Sequence, residues 1–333
     1  MAGFISVDSN SSSSKYLQII DSVKEAIGSG KLSLGDKIPS INAVCNRWNL
    51  SRDTVVHAYN ELKTQGIISS APGKGFYIAS TDIRLTNRIF VLFDELNAFK
   101  EDLYNVFLGN LKKDTQTDIY FHHFNRKLFN SLIEEARGHY TTYVIMPAQF
   151  KNTRKLLQGL KKRVIILDQL PTDLNGFFPA IYQDFESNVF DALVSGKSLL
   201  AKYDKLIMVH PGGKEPEGQH IGFRRFCEQE AIPHEVITSL EGHTISPKAA
   251  YFVIWDRDLV IICKEAIKKG LTPGKDVGIL SYNDTALKEV VGNGITTIST
   301  DFKQMGKTLA TLVYENSRIQ IQNPSSLIIR NSL

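Results

Sequence analysis

Gly73-Lys74-Gly75 is the first place along the chain where residue types and spacing suggest chemistry. A glycine-rich turn with a lysine can cradle a phosphate, because free backbone N–H groups and a helix N-terminus both favour an anion. That use needs a strand before the turn and a helix after it. Here "GIISS" (66–70) precedes and "FYIA" (76–79) follows, and both read as strands. The triplet is therefore expected to be the tip of a β-hairpin carrying a basic residue. A second glycine-rich segment, "HPGGKEPEG" (210–218), follows a strand, but its adjacent glycines and Pro216 do not match a dinucleotide turn, and it reads as a loop. No GxGxxG fingerprint follows a strand and no Walker motif occurs. His122 and His123 lack a third ligand at a supporting spacing, so no metal site is expected. Asp256 and Asp258 flank Arg257; paired carboxylates can do acid–base work, but a helix cap paired with Arg257 is the simpler reading. No Ser-His-Asp or Cys-His arrangement is legible. These residues point to binding rather than catalysis, so neither an enzyme nor a cofactor is expected.

The bulk properties fit that reading. A chain of 333 residues is roughly two to three domains. Apolar content of 42% is ample for buried cores, and the net charge of +4 does not imply a large nucleic-acid surface over the whole chain. Residues 1–80 hold eight Lys/Arg against six Asp/Glu, a weak local excess. The three cysteines, Cys45, Cys227 and Cys263, show no disulfide or metal spacing. With an N-terminus that lacks a basic-then-apolar signal, they suit a reduced cytoplasm. The longest apolar stretch is split by "DRD" (256–258), so no membrane span is expected.

The elements that must position the hairpin lie just upstream. "SSSSKYLQIIDSVKEAIGSG" reads as a serine-capped helix, with Tyr16, Ile20, Val23 and Ile27 at helical spacing. "INAVCNRWN" is a short helix opened by Pro39-Ser40. "RDTVVHAYNELKTQG" follows the N-cap Ser51; Val55, Tyr59 and Leu62 share its inward face, and Arg52, Thr54 and His57 lie away from it. Two short helices joined by a tight turn, then a basic hairpin, make a winged helix-turn-helix whose second helix would enter the major groove.

At residues 14–79 the chain resembles the GntR family of bacterial transcription regulators. "LGDKIPS", "LSRDTVVHAYNEL", "QGII" and "GKGFYI" carry the resemblance, in that order. It implies that Lys74 and Gly75 form the wing beside the minor groove. It also implies that Arg52 meets a phosphate or base edge, supported by Ser40, Thr54 and His57. Many relatives carry arginines where this chain has Asn42 and Val56.

From Asn87 strand-length apolar runs alternate with helical patterns. The fold class expected is α/β, with doubly wound parallel sheets following the small N-terminal domain. Ligands in such sheets sit beyond the C-terminal strand ends. "DVGILSYNDTALKEVVGNGITTISTDFKQMGKTLATLVYE" and "PSSLIIRNS" resemble the effector domain of lactose-repressor-type regulators, a type 1 periplasmic-binding-protein fold. The resemblance implies a domain of two hinged subdomains around a cleft. The expected layout is a DNA-binding domain at 1–80, a linker at 81–87 and an effector domain at 88–333. Within the last, the N-subdomain takes about 88–185 and 301–318, and the C-subdomain about 186–300 and 319–333.

Matching the motifs residue by residue nominates Asn283 in "SYND", and Asp256 and Arg257 in "WDRD" with Trp255 nearby. In "EGQHIGF", Gln219 stands where relatives carry an arginine, with Glu217 and His220 as possible substitutes. Loops after the N-subdomain strands nominate Asp94, Glu95, Met146 and Asp168. Such polar groups with an aromatic face suit a sugar, of which a pentose or deoxyhexose is the family's example. The resemblance implies a homodimeric repressor on operator DNA, released by a sugar effector. The alternatives are a phosphorylated metabolite or nucleotide as effector, or a DNA-binding module fused to an enzyme.

Overall fold

Residues 3–8, 14–82, 87–113 and 115–333 are described by the structure, a computed structural model. Helix α1 (Lys15–Gly28) buries Ile19, Ile20, Val23, Ala26 and Ile27 along one stripe. Ser14 stands at its N-cap, but the side chain makes no cap hydrogen bond, unlike the serine cap expected. The preceding serines, Ser11 to Ser13, lie outside the described residues. After strand β1 (Lys37–Ile38), helix α2 (Ile41–Trp48) is capped by Ser40 and ends at Asn49, whose φ of 51° turns the chain. Helix α3 (Arg52–Thr64) is capped by Ser51 and buries Val55, Ala58, Tyr59 and Leu62. Strands β2 (Ile68–Ala71) and β3 (Gly75–Ile78) form an antiparallel hairpin, with β1 on the far side of β3. Gly73 and Gly75 have φ of 70° and 110°, so this turn needs glycine. Ile5 and Val7 complete the core from the N-terminal side, where the sequence gave no helical or strand signal.

The chain divides into two compact units. The first joins the residues up to Phe93 with Lys112–Ile145 and Thr153–Ile165; the second comprises Asp94–Leu111, Met146–Asn152 and Ile166–Leu333. Strand–helix alternation runs through both: β4 (Asn87–Phe93), α4 (Ala98–Gly109), β5 (Thr115–Phe121), α5 (Arg126–Ala136), β6 (Thr142–Ile145), α6 (Arg154–Gln158) and β7 (Arg163–Asp168). There follow β8 (Ala180–Tyr182), α7 (Phe185–Ser195), α8 (Lys197–Leu200), β9 (Lys205–Val209), α9 (Gly218–Gln229), β10 (His234–Ile237), β11 (Ala249–Val253) and α10 (Asp256–Lys268). The chain closes with β12 (Gly278–Tyr282), α11 (Ala286–Val290), β13 (Thr296–Thr300), α12 (Phe302–Tyr314), β14 (Gln320–Gln322) and β15 (Ser325–Ile328).

In the first unit β4 lies between β5 and β6, all parallel, and Ile89 to Phe93 are buried. In the second unit β8 pairs in parallel with β7 and with β14. A further sheet there has the order β10-β9-β11-β12-β13-β15. Its strands are parallel except β15, which runs antiparallel to β13. The sequence pattern predicts parallel sheets, and β15 is the exception. Only Asn323 and Pro324 separate it from β14, the strand that pairs with β8. Two glycines let helices close up: a Cβ on Gly222 of α9 would meet Glu186 O at 2.3 Å, and one on Gly306 of α12 would meet Leu103 O at 2.5 Å. Among the described residues no helix is long and apolar enough to cross a membrane.

Candidate functional site

Two sets of residues could meet partners, and the helix-turn-helix carries the first. Arg52 opens α3 and is exposed; its Nη1 donates to Asn42 Oδ1 at 2.7 Å. The guanidinium is thus aimed by the asparagine at the position where relatives carry arginine. Ser40 and Thr54 are committed to local bonds: Ser40 Oγ accepts from Ala43 N at 3.2 Å, and Thr54 Oγ1 lies 2.8 Å from Ser51 Oγ. The Ser40 hydroxyl caps α2, and Thr54 bonds to the Ser51 hydroxyl that caps α3. The His57 ring packs on Tyr16 with centroids 4.4 Å apart. Lys74 sits at the hairpin tip, where its carbonyl accepts from the Tyr77 hydroxyl at 3.0 Å. Lys37 runs beside the hairpin, 5.9 Å from the Tyr77 ring, and adds a cation that sequence reasoning missed. Its signal was a basic residue on the strand bound to pair with the wing.

The second set surrounds a cavity of about 450 Å³ in the second unit. Its lining comes from loops and first helical turns beyond the C-terminal ends of strands: Glu95, Asn97 and Phe99 after β4, Lys214 and Glu215 after β9, Trp255 to Arg257 after β11, and Asn283, Thr285 and Lys288 after β12. Five nominated residues meet here: Glu95, Trp255, Asp256, Arg257 and Asn283. The other six lie outside this lining. Asp94 and Asp168 are almost wholly buried and share the Lys100 ammonium, which bonds to Asp94. Met146 is buried, as is Gln219, the second residue of α9. His220 packs against His210 with ring centroids 5.0 Å apart, and Glu217 is an exposed residue at the N-cap of α9.

Two lysines of the cleft are each paired with a carboxylate. Lys214 Nζ lies 2.6 Å from Glu95 Oε2. Lys288 is 3% exposed and spends its three donors on Asp256 Oδ1 at 2.9 Å, Tyr282 O at 2.8 Å and Asn283 O at 2.7 Å. Burial lowers its ammonium pKa, and Asp256 opposes that shift. Trp255 Nε1 donates to Glu215 Oε1 at 2.7 Å; burial raises the Glu215 carboxyl above its usual range against this bond. Burial likewise holds Asp168 high, with Lys100 opposing and Asp94 adding to the rise; Gln183 Nε2 donates to it at 2.5 Å. Asp168 and Asn283 both have left-handed backbone, φ 74° and 57°, which turns each strand end sharply. Asn283 Oδ1 has no hydrogen-bond partner although buried, so one acceptor is left over at the cleft. Asp284, by contrast, is held by both guanidinium nitrogens of Arg330, at 2.7 and 2.8 Å. Sequence reasoning missed Lys100, Lys214, Glu215 and Lys288. The first and last are buried lysines, which no periodicity reveals; the other two lay in a glycine-rich loop whose place after β9 was the available signal.

The described residues thus comprise a helix-turn-helix with a wing, followed by parallel α/β sheets, with a polar cleft in the second unit. Residues 15–78 match the profile described as bacterial regulatory proteins, gntR family, and this segment is a GntR-family helix-turn-helix domain. The chain is 39% identical over 75 residues to the HTH-type transcriptional repressor YtrA of Bacillus subtilis, covering 22% of this chain and 58% of YtrA. It is 24% identical over 228 residues to the HTH-type transcriptional regulator GalR of Streptococcus thermophilus, covering 62% and 66% of the two chains. The chain thus spans less than two thirds of the length of these curated relatives. Among solved structures, a LacI family transcriptional regulator from Enterococcus faecium with bound ribose superposes with a TM-score of 0.60 at 19% identity, covering 74% of this chain and 98% of that one. The sheets after residue 87 therefore have the LacI-type fold.

Proposed function

We propose that this protein is a DNA-binding transcriptional regulator, acting as a repressor, whose cleft binds a small sugar that changes its affinity for an operator. The GntR-family domain with an exposed, oriented Arg52 at the start of α3 carries the DNA half. In this reading α3 enters the major groove, and Lys74 and Lys37 approach the backbone at the wing. Domain boundaries at 80 and 88, a cytoplasmic setting and a homodimer on a pseudo-palindromic site belong to the same reading.

For the effector, the charge pairing supports a neutral ligand over a phosphorylated one. Lys214 and Lys288 are matched by Glu95 and Asp256, and Glu215, which accepts from Trp255 Nε1, adds a further carboxyl group. A phosphate entering this cleft would have to displace those carboxylates. Hydroxyl groups can instead donate to Asn283 Oδ1 and Glu215 while the exposed Trp255 ring covers C–H groups.

A thermal-shift scan of the purified protein against neutral sugars, sugar phosphates and nucleotides tests this. A ligand at 100 times its Kd adds about 2.7 kcal/mol of stability. A neutral sugar that stabilises the protein, and no longer does so in Asn283→Ala, is the expected result. Stabilisation by phosphates alone, or by no sugar, refutes the sugar half.

A further inference from the structure

The C-terminal end of α3 is seated on residues of the first unit that belong to neither helix-turn-helix nor wing. Lys162, between α6 and β7, places Nζ 2.7 Å from Glu61 Oε2. The Thr64 hydroxyl donates to Gly138 O, between α5 and β6. Arg88 Nη1, at the start of β4, reaches Thr64 O at 3.5 Å. Thr64 and Gln65 are almost wholly buried as a result. The physics is favourable: a helix leaves its last carbonyls without partners and carries partial negative charge there, and two cations meet that end. The opposite end of α3, with Arg52 and Thr54, stays exposed.

Each of the three seat positions lies at or shortly before the N-terminal end of a strand. β4 runs from Arg88 to Phe93 and into Asp94 and Glu95; β6 runs into Met146; β7 runs from Arg163 to Asp168. We propose that this seat is a releasable latch, by which the sheet holds the DNA-reading helix in one orientation. The functional consequence rests on the regulatory role proposed above; the latch itself does not. It includes one half-buried ion pair and two hydrogen bonds to backbone oxygens, polar contacts that can separate without unfolding the core beneath.

Hydrogen exchange on the full chain tests it without operator or effector. The variants are Lys162→Glu, Glu61→Lys and the two together, with Lys162→Gln as a milder form should charge reversal disturb folding. The latch predicts that each single reversal speeds exchange at residues 64–66 and 138–141 about fivefold or more, the worth of a good partly exposed ion pair. Amides at 55–62, inside the helix-turn-helix core, keep their wild-type protection, and the double swap restores the seat. Lys162→Gln gives a smaller change at the same amides. Single variants that exchange like wild type, a loss of protection spreading through 55–62, or a double swap that fails to restore protection overturns the proposal.

Discussion

Arg52 shows what one neighbour does for an exposed arginine. Asn42 accepts its Nη1 proton at 2.7 Å and holds a long, rotamer-rich side chain in one direction. Less entropy is then lost when the guanidinium meets a phosphate. Arg52→Ala is expected to weaken duplex binding roughly tenfold and to lower the salt-dependence slope by about one. Fluorescence anisotropy at several salt concentrations measures both, and an unchanged slope would remove Arg52 from the interface. At the cleft the equivalent supporting residue is Lys288, whose donors tie the loop after β12 to Asp256. Lys288→Met leaves two carbonyls without their donor and should cost about 2 kcal/mol in chemical denaturation. Neither lysine burial nor this clamp was legible in the sequence. A lysine in a five-residue helix reads as solvated surface until the carbonyls beside it are placed.

At the scale of elements, legibility followed burial pattern. Runs such as "VIIL" in β7 and "GIL" in β12 are buried on both faces, so they read as strands without alternation, and the helices between them fixed the α/β class. The helix-turn-helix was legible because Ser40, Ser51 and the glycines of the wing are each dictated by local geometry. β14 and the direction of β15 were not, since "QIQ" has no pattern of its own and pairs only because β8 offers an edge. The packing of Ile5 and Val7 into the first core escaped for the same reason: it depends on tertiary position alone. Helix contact through glycine gives the prediction that belongs here. Gly222→Ala drives a methyl to within 2.3 Å of Glu186 O, between backbones that cannot yield as a side chain tip would. Overpacking of this kind costs about 1–3 kcal/mol. A Gly222→Ala melting curve indistinguishable from wild type would mean that α9 moves off α7 without cost.

At the scale of the whole molecule, the Glu61 carboxyl makes the α3 seat sensitive to acid. Burial alone would raise its pKa, but the Lys162 ammonium and the Gln65 amide more than offset this and hold it below the ordinary glutamate value. Lys24 on α1 and His57 on α3 also act on it electrostatically. A carboxyl whose pKa is depressed in the seated form binds its proton more readily once released. The seat's contribution is therefore fully present above the ordinary glutamate range and is lost as pH falls through the lower, seated value. Exchange at residues 64–66 and 138–141, referenced to 55–62 at each pH, should stay slow from neutrality down to the ordinary glutamate range and quicken as pH falls below it. In Lys162→Gln the chief cause of the depression is gone, so exchange should begin faster and the acid step should shrink. Other carboxylates protonate over the same range and loosen the fold generally, which is why the difference between the two proteins, rather than either curve, carries the conclusion. A step of equal size in both would assign the acid response to those other groups and leave the seat insensitive to pH.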